Sequence, residues 1–477
     1  MLYSLILVPL AGALICWLTP SNLRRPRILP VFGLAHFVLA LISLVLRPGP
    51  ELSGWLALDA IGGIILISIS TLFLACSFYA AGYLPFRRRR SNRVLCLGML
   101  VCLSAMSLAA VARHLGLLWV AVEATTLSMA PLIYFNRNAR SIEATWKYML
   151  ICSVGIALAL LGLFFLAYAS LVAGQETTLL MEPLLSGNYL LSPSWLNAAA
   201  IFLLVGFGTK MGLAPLHTWK PDAYGEAPGL VGALLSGGLV TCGLLGVIRV
   251  YQICLVSGNA EFFRQILIGM GLISMALAAV FLLRQTDFKR MLAYSSVEHV
   301  GILAIGLGVG EGALFGALFH IINNGLTKGV LFLSSGNIHR TYGTKNTDRI
   351  RGVLRQLPAT GGLFLAGFFA VTASPPFSPF FSEFRIISGI FESGRFLTGA
   401  IFLLLLAVIS MGMTATVIPM MLGASSAESD SSAYRDRFLS VAPPLGLIIL
   451  VLLLGVWLPA PLRDLITDAV RLLEGRP

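Results

Sequence analysis

Apolar runs alternate with short charged or Pro/Gly-rich links along almost the whole chain. Breaking the 477 residues at those links leaves fourteen apolar stretches, at about 2–18, 29–46, 55–84, 94–112, 115–135, 143–172, 195–215, 229–254, 262–283, 291–309, 312–335, 358–391, 397–423 and 438–459. A helix needs roughly 20 apolar residues to cross a hydrocarbon core about 30 Å thick. A lone segment in lipid must also satisfy its own backbone, which selects the helix. The pattern therefore predicts an all-α polytopic membrane protein, a single membrane domain over residues 1–477 with about fourteen transmembrane helices. Stretches 55–84, 143–172 and 358–391 exceed one crossing, which predicts tilt, protruding ends or broken helices.

Polar residues inside these stretches are costly and so carry information. The fifth, "LGLLWVAVEATTLSMAPLIYF", holds Glu123 near its middle. In the eleventh, His320, Asn323, Asn324, Thr327 and Lys328 follow one another at i, i+3, i+4, i+7 and i+8, a continuous helical stripe expected to face the bundle interior or water. Interhelical hydrogen bonding alone is the plainer reading of such a stripe. A histidine and a lysine on one face exceed what that role needs. In the seventh stretch Lys210 stands five residues before Pro215, which cannot donate to the helix ladder, and His217, Lys220, Asp222 and Glu226 follow. The twelfth is interrupted by Pro375, Pro376 and Pro379, just before Glu383. A discontinuous helix with an ionisable residue beside the break is a recognised way to build an ion site. The tenth begins "MLAYSSVEHVGIL", with Ser295, Glu298 and His299 on or near one face, where a solvated helix end is an equal alternative. Lys147, Arg249 and Arg385 are expected to snorkel from helix ends. Packing or solvent accounts for His36, His114 and His339.

Composition agrees: the chain is 57% hydrophobic and 11% charged, with a mean hydropathy of +0.88. These values exclude a soluble globular domain. The net charge of +12 does not point to nucleic acid, because the basic residues lie in the links. Arg24, Arg25, Arg27, Arg87 to Arg90, Arg93, Arg137, Arg140, Lys220, Arg284, Lys289, Arg290, Arg340, Lys345, Arg349, Arg351, Arg355, Arg435 and Arg437 would share one side, leaving Arg47, Arg113, Arg264, Arg395 and the tail's Arg463, Arg471 and Arg476 on the other. Positive residues favour the inner side, so both termini are expected outside. The seven cysteines form no C-x-x-C, so no metal or cofactor site is expected in this chain. The N-terminal run lacks a basic leader and reads as the first span.

The phrases "WVAVEATTLSMAPLIYF", "EATWKYMLICSVGIALALLG", "KMGLAPLHTWKPDA", "MLAYSSVEHVGIL", "NNGLTKGVLFLSSGNI" and "PPFSPFFSEF" resemble the antiporter-like subunits of respiratory complex I, Mrp antiporters and membrane-bound hydrogenases, with particular likeness to the hydrogenase-4 component F branch. The resemblance covers roughly residues 90 to 390. It implies two inverted five-helix repeats, 94–254 and 262–423, with broken seventh and twelfth helices; the short tail, 460–477, is expected from its own segment "LRDLITDAVRLLEG" to form an interfacial helix. It implies that Glu123 pairs with Lys210, that His320 and Lys328 lie on a central polar axis, and that Glu383 is the terminal group. With His217, Glu298 and His299 these make up the expected proton-transfer set. The function implied is proton translocation within a complex I-like or group 4 hydrogenase-type redox complex of the inner membrane. The chain itself would be non-catalytic, with redox chemistry left to a peripheral module and with other antiporter-like subunits as neighbours. An Mrp-type cation/proton antiporter and a non-pumping structural subunit are the rival readings. Two departures stand out: Thr241 occupies an expected eighth-helix lysine position, and Lys220 and Tyr224 replace an apolar residue and a histidine.

Overall fold

The computed structural model describes residues 1–87, 91–424 and 434–474. Arg88, Arg89 and Arg90 of the basic link and Arg476 of the tail lie outside the described residues. The chain runs α1 (Leu2–Leu18), α2 (Arg25–Leu46), α3 (Ala60–Tyr83), α4 (Arg93–Val111), α5 (Leu115–Ile133), α6 (Ala139–Val172), α7 (Pro193–Met211), α8 (Trp219–Glu226), α9 (Gly229–Val256), α10 (Ala260–Leu282), α11 (Phe288–Val309), α12 (Glu311–Tyr342), α13 (Pro358–Val371), α14 (Ser378–Glu392), α15 (Phe396–Leu422), α16 (Phe438–Val456) and α17 (Ala460–Leu473). Among the described residues, β pairing is limited to isolated bridges such as Asp287 with Asn346.

Eleven of these helices are long and apolar enough to cross a membrane, and α1 and α13 are apolar but shorter. The protein is a multi-pass membrane protein. Its outer helices turn large apolar side chains outward, among them Val45, Phe164, Val280, Leu404 and Val456. In water that surface would aggregate, whereas in lipid it is the solvated face. At the centre the arrangement reverses: every residue from 229 to 254 in α9 is buried, and α11 and the middle of α12 are nearly as enclosed. A π turn at Leu235–Leu239 interrupts α9, a feature the hydrophobic pattern did not announce.

Small residues let the helices close up where apolar attraction between them is absent. Where α6 meets α7, a Cβ on Gly206 would stand 2.4 Å from the Ala159 Cβ and 2.6 Å from the Gly155 carbonyl oxygen. Helix α10 approaches α11 in the same manner, a Cβ on Gly301 coming within 2.7 Å of the Gly271 carbonyl oxygen. The tail helix α17 lies against α3 and α12, with Ile466, Ala469 and Leu473 buried and its charged residues outward, as an interfacial helix requires.

One ionic clamp ties three elements together. Asp59 caps α3, accepting from the Gly62 amide at 2.8 Å. It also receives both Arg249 terminal nitrogens, at 2.6 and 2.8 Å, and Arg113 at 2.7 Å. Arg249 therefore does not snorkel: its side chain is 0% exposed, because a carboxylate at the head of α3 meets it inside the protein. Lys147 and Arg385, by contrast, are exposed. Burial opposes ionisation of Asp59, but the Arg249 and Arg113 charges prevail and hold its carboxyl below the usual range. The sign follows: a carboxyl that ionises at lower pH when folded stabilises fully above about pH 4 and loses that contribution as the pH falls further. Asp59→Asn keeps the shape but strands two guanidinium groups, an expected loss of about 3–5 kcal/mol. Thermal unfolding in detergent at neutral pH reads it, and an unchanged midpoint would show the clamp to be idle.

Candidate functional site

The first polar group is built from α5, α6 and α7. Glu123 and Thr126 are three residues apart on α5 and so share a face. The Thr126 hydroxyl donates to Glu123 at 2.9 Å, and Ser153 of α6 donates to the other carboxylate oxygen at 3.0 Å. Lys210, fully buried in the last turn of α7, donates to Thr126 Oγ1 at 2.6 Å and to the Tyr148 hydroxyl at 3.1 Å. A cation suits the carbonyl-rich C-terminus of a helix. The expected direct Glu123–Lys210 pair is thus replaced by a bridged one. No Lys210 nitrogen comes within 4.0 Å of a Glu123 oxygen among the described residues, because the nearer hydroxyl takes the ammonium. Thr126, one helical turn beyond Glu123 in "EATT", was readable as that bridge and was missed.

The second group sits where α7 stops. Gly212 closes α7 in the left-handed region at φ +74°, and a short linker leads into α8. The Trp219 indole donates to the Thr209 carbonyl at 2.9 Å, satisfying one of the acceptors left by the break. His217 is buried in the linker with its ring edge-on to Tyr294 and no partner for Nδ1. Lys220, counted above among loop charges, is in the first turn of α8 and 0% exposed. Its Nζ lies 3.4 Å from both the carbonyl and the hydroxyl oxygen of Ser296 in α11. The loop reading failed because the linker folds back into the bundle. The lysine directly before Pro221, ten residues after Lys210, was the available signal.

Both ends of α8 are held by charge. Asp222 receives Lys147 of α6 at 2.9 Å and Arg290 of α11 in a closer contact. Glu226 receives Lys345, from the link after α12, at 2.6 Å, and Lys289 donates to the Ala227 carbonyl at 2.7 Å.

The third group joins α11, α12 and α14. Lys328 Nζ donates to Ser295 Oγ at 2.7 Å, and that hydroxyl donates to Glu298 at 3.3 Å. His299 Nδ1 and His320 Nε2 are 3.0 Å apart, and His320 Nδ1 is 2.9 Å from Ser382 Oγ. Glu383 Oε1 stands 3.8 Å from His299 Nδ1. Asn323 donates to the Ser378 carbonyl at 3.1 Å, fastening the start of α14 to the stripe on α12. All five stripe residues are buried, as are Ser295, Glu298 and His299, so the solvated reading of that helix end is set aside. Glu298 and Glu383 both line a cavity of about 210 Å³ at the α13–α14 break, room for several waters. The ligand atoms of His299, His320 and Glu383 lie within 4.8 Å of one another, a donor set a divalent cation accepts. The two imidazoles share one hydrogen bond, and Glu383 stands just beyond hydrogen-bond reach of them.

Thr241 contributes nothing to these groups, its hydroxyl being bonded to the Gly238 carbonyl of its own helix at 2.6 Å.

A polytopic helical bundle with a row of buried titratable side chains defines a class of proton-translocating membrane subunits. The chain belongs to the NADH:quinone oxidoreductase/Mrp antiporter transmembrane family, whose sequence pattern matches residues 112–421. A hydrogenase-4 component F homolog of Methylacidiphilum infernorum is 33% identical over 361 residues, covering 75% of this chain and 74% of that one. The NADH-quinone oxidoreductase subunit N of Desulforudis audaxviator is 29% identical over 381 residues, covering 77% and 75%. A chain of the membrane-bound sulfane sulfur reductase, an archaeal respiratory membrane complex, shares the fold with a TM-score of 0.87 at 22% identity, covering 99% of this chain and 97% of that one.

Proposed function

We propose that this chain carries protons between Glu123 and Glu383 inside a redox-driven complex of the complex I or group 4 hydrogenase type. The supporting observation is the succession of groups just described: half-buried Glu123 and buried Lys210, His217, Lys328, Glu298, His299, His320 and Glu383 occur on neighbouring elements, with hydroxyls linking Lys210 to Glu123 and Lys328 to Glu298 and a direct hydrogen bond joining the two histidines. Glu123 and Lys210 would form the switchable pair, His217 would serve the break, and Lys328 with Glu298 and the two histidines would pass the proton to Glu383. The cavity at Glu298 and Glu383 would be the water-filled end of the path.

On this reading the chain crosses the bilayer fourteen times, the broken α13 and α14 counting as one crossing with α1 and α12 added to the rest. The repeats 94–254 and 262–423 are supported by one correspondence: the fourth helix of each is broken, α7/α8 in the first and α13/α14 in the second. The electron carriers would belong to a peripheral module, with other antiporter-like subunits alongside in the inner membrane and both termini on its outer side.

The test uses sealed inverted membranes holding the whole assembly, energised with NADH or hydrogen and read with an acridine dye. Lumen acidification should proceed without sodium and vanish when this chain is deleted. A strict sodium requirement would transfer the reading to cation/proton antiport, and acidification indifferent to the deletion would end it.

A further inference from the structure

The first and third groups are each internally connected, but no hydrogen bond joins Lys210 to Lys328. Between them stands a single buried cation, Lys220, which no carboxylate approaches within 4.0 Å among the described residues. Its position is set by two close contacts. On one side its stem crosses the break itself: a Cβ on Gly212, two residues after Lys210, would fall 2.1 Å from Lys220 Cε and 2.8 Å from its Nζ. On the other, Nζ faces Ser296, the neighbour of the serine that receives Lys328. Two ammonium groups from different helices thus converge on consecutive serines of α11. Helix α9 supplies no substitute through Thr241 or Cys242, since both are bonded to the Gly238 carbonyl of their own helix.

We infer that Lys220 is the proton carrier that joins the two halves of the axis, an assignment that rests on the proton-translocation reading. A buried ammonium with only two long hydrogen bonds, at 3.4 Å, is held loosely, which suits a group that must change state. As an ammonium Lys220 loses one proton, an N–H bond breaking while the lone pair of a neutral Lys328 amine takes a proton through the intervening hydroxyls or water. The neutral Lys220 amine then accepts a proton from the Lys210 side, so Lys220 ends with the protons it began with while one proton has passed from the Lys210 side to Lys328. Mutual repulsion of two cations drawn to adjacent serines favours alternation over joint charging.

The test is made in the assembled complex, in the same inverted membranes, with assembly checked by native electrophoresis. Lys220→Met removes the buried charge at similar volume and should lower proton translocation at least tenfold. Lys220→Arg keeps the charge but cannot release its proton near neutral pH, so it should fail equally. Lys220→His restores a titratable group and should recover part of the rate. Gly212→Ala, which pushes the Lys220 stem aside, should give an intermediate loss. Full activity in Lys220→Met, or rescue by arginine, would overturn the assignment, since the first needs no carrier and the second needs only a fixed charge. If Lys210→Met also pumps normally, the broader reading falls instead, so the two failures are distinguishable.

Discussion

Lys210→Met is expected to abolish proton translocation, at least a hundredfold, in a protein that still folds and assembles. The expectation comes from what the ammonium touches. It donates to Thr126, which donates in turn to Glu123, so removal of the charge leaves the carboxylate with hydroxyl partners but no cation. Within a site of effective dielectric about 20, opposite charges ~5 Å apart, the reach of a one-hydroxyl bridge, interact by ~3 kcal/mol, enough to shift a protonation equilibrium about a hundredfold. That interaction is what Glu123 would exchange with as the lysine gains and loses its proton. Folding should survive, because methionine fills similar space and no buried ammonium remains to be desolvated. Dye quenching in inverted membranes at matched complex content measures the effect. A rate within twofold of the unaltered protein would remove Lys210 from the path.

Lys328→Met is expected to have an effect of the same size by a different route. Lys328 feeds Ser295, whose hydroxyl faces Glu298, and Glu298 opens on the cavity it shares with Glu383. Without the lysine, the two buried carboxylates keep no cation, only the Ser295 hydroxyl on Glu298, each other and the His299–His320 pair. Like charges so placed resist joint ionisation, and a group fixed in its protonated form carries nothing. Electron transfer and proton movement measured together in the same membranes separate the possibilities. Electron transfer that persists while acidification stops places the lesion in the path itself, whereas normal acidification would show that Lys328 is bypassed.

Much of the fold was legible from the chain because lipid imposes a strict rule on sequence. Apolar runs of crossing length became helices within a few residues, and the prolines at 215 and 375–379 marked both breaks correctly. Charge was legible only where a residue had one possible fate. A glutamate in mid-helix has to find polar partners, as Glu123 does in Thr126 and Ser153, and a polar stripe on α12 has to point inward. Links were harder, since a charge beside an apolar run can be solvated or folded back with nothing local to distinguish the cases. Lys220 looked like a loop cation and is wholly enclosed, while Arg249 looked like a snorkelling end and is paired with an aspartate from a distant helix. Hydroxyl bridges were missed for a related reason: Thr126 and Ser382 are ordinary helix residues until the neighbouring helix supplies Lys210 or His320.

Helix α8 is only eight residues long, about 12 Å end to end. Asp222 in its first turn is fastened to both halves of the bundle at once, through Lys147 on α6 and Arg290 on α11, and Glu226 at its far end is held by Lys345. So short a rod is too stiff to absorb displacement by bending. Any sliding of one half against the other is therefore felt within that same turn, where Lys220 rests over Gly212 two residues from the fastening. The ionic contacts on the surface and the buried amine move as one piece.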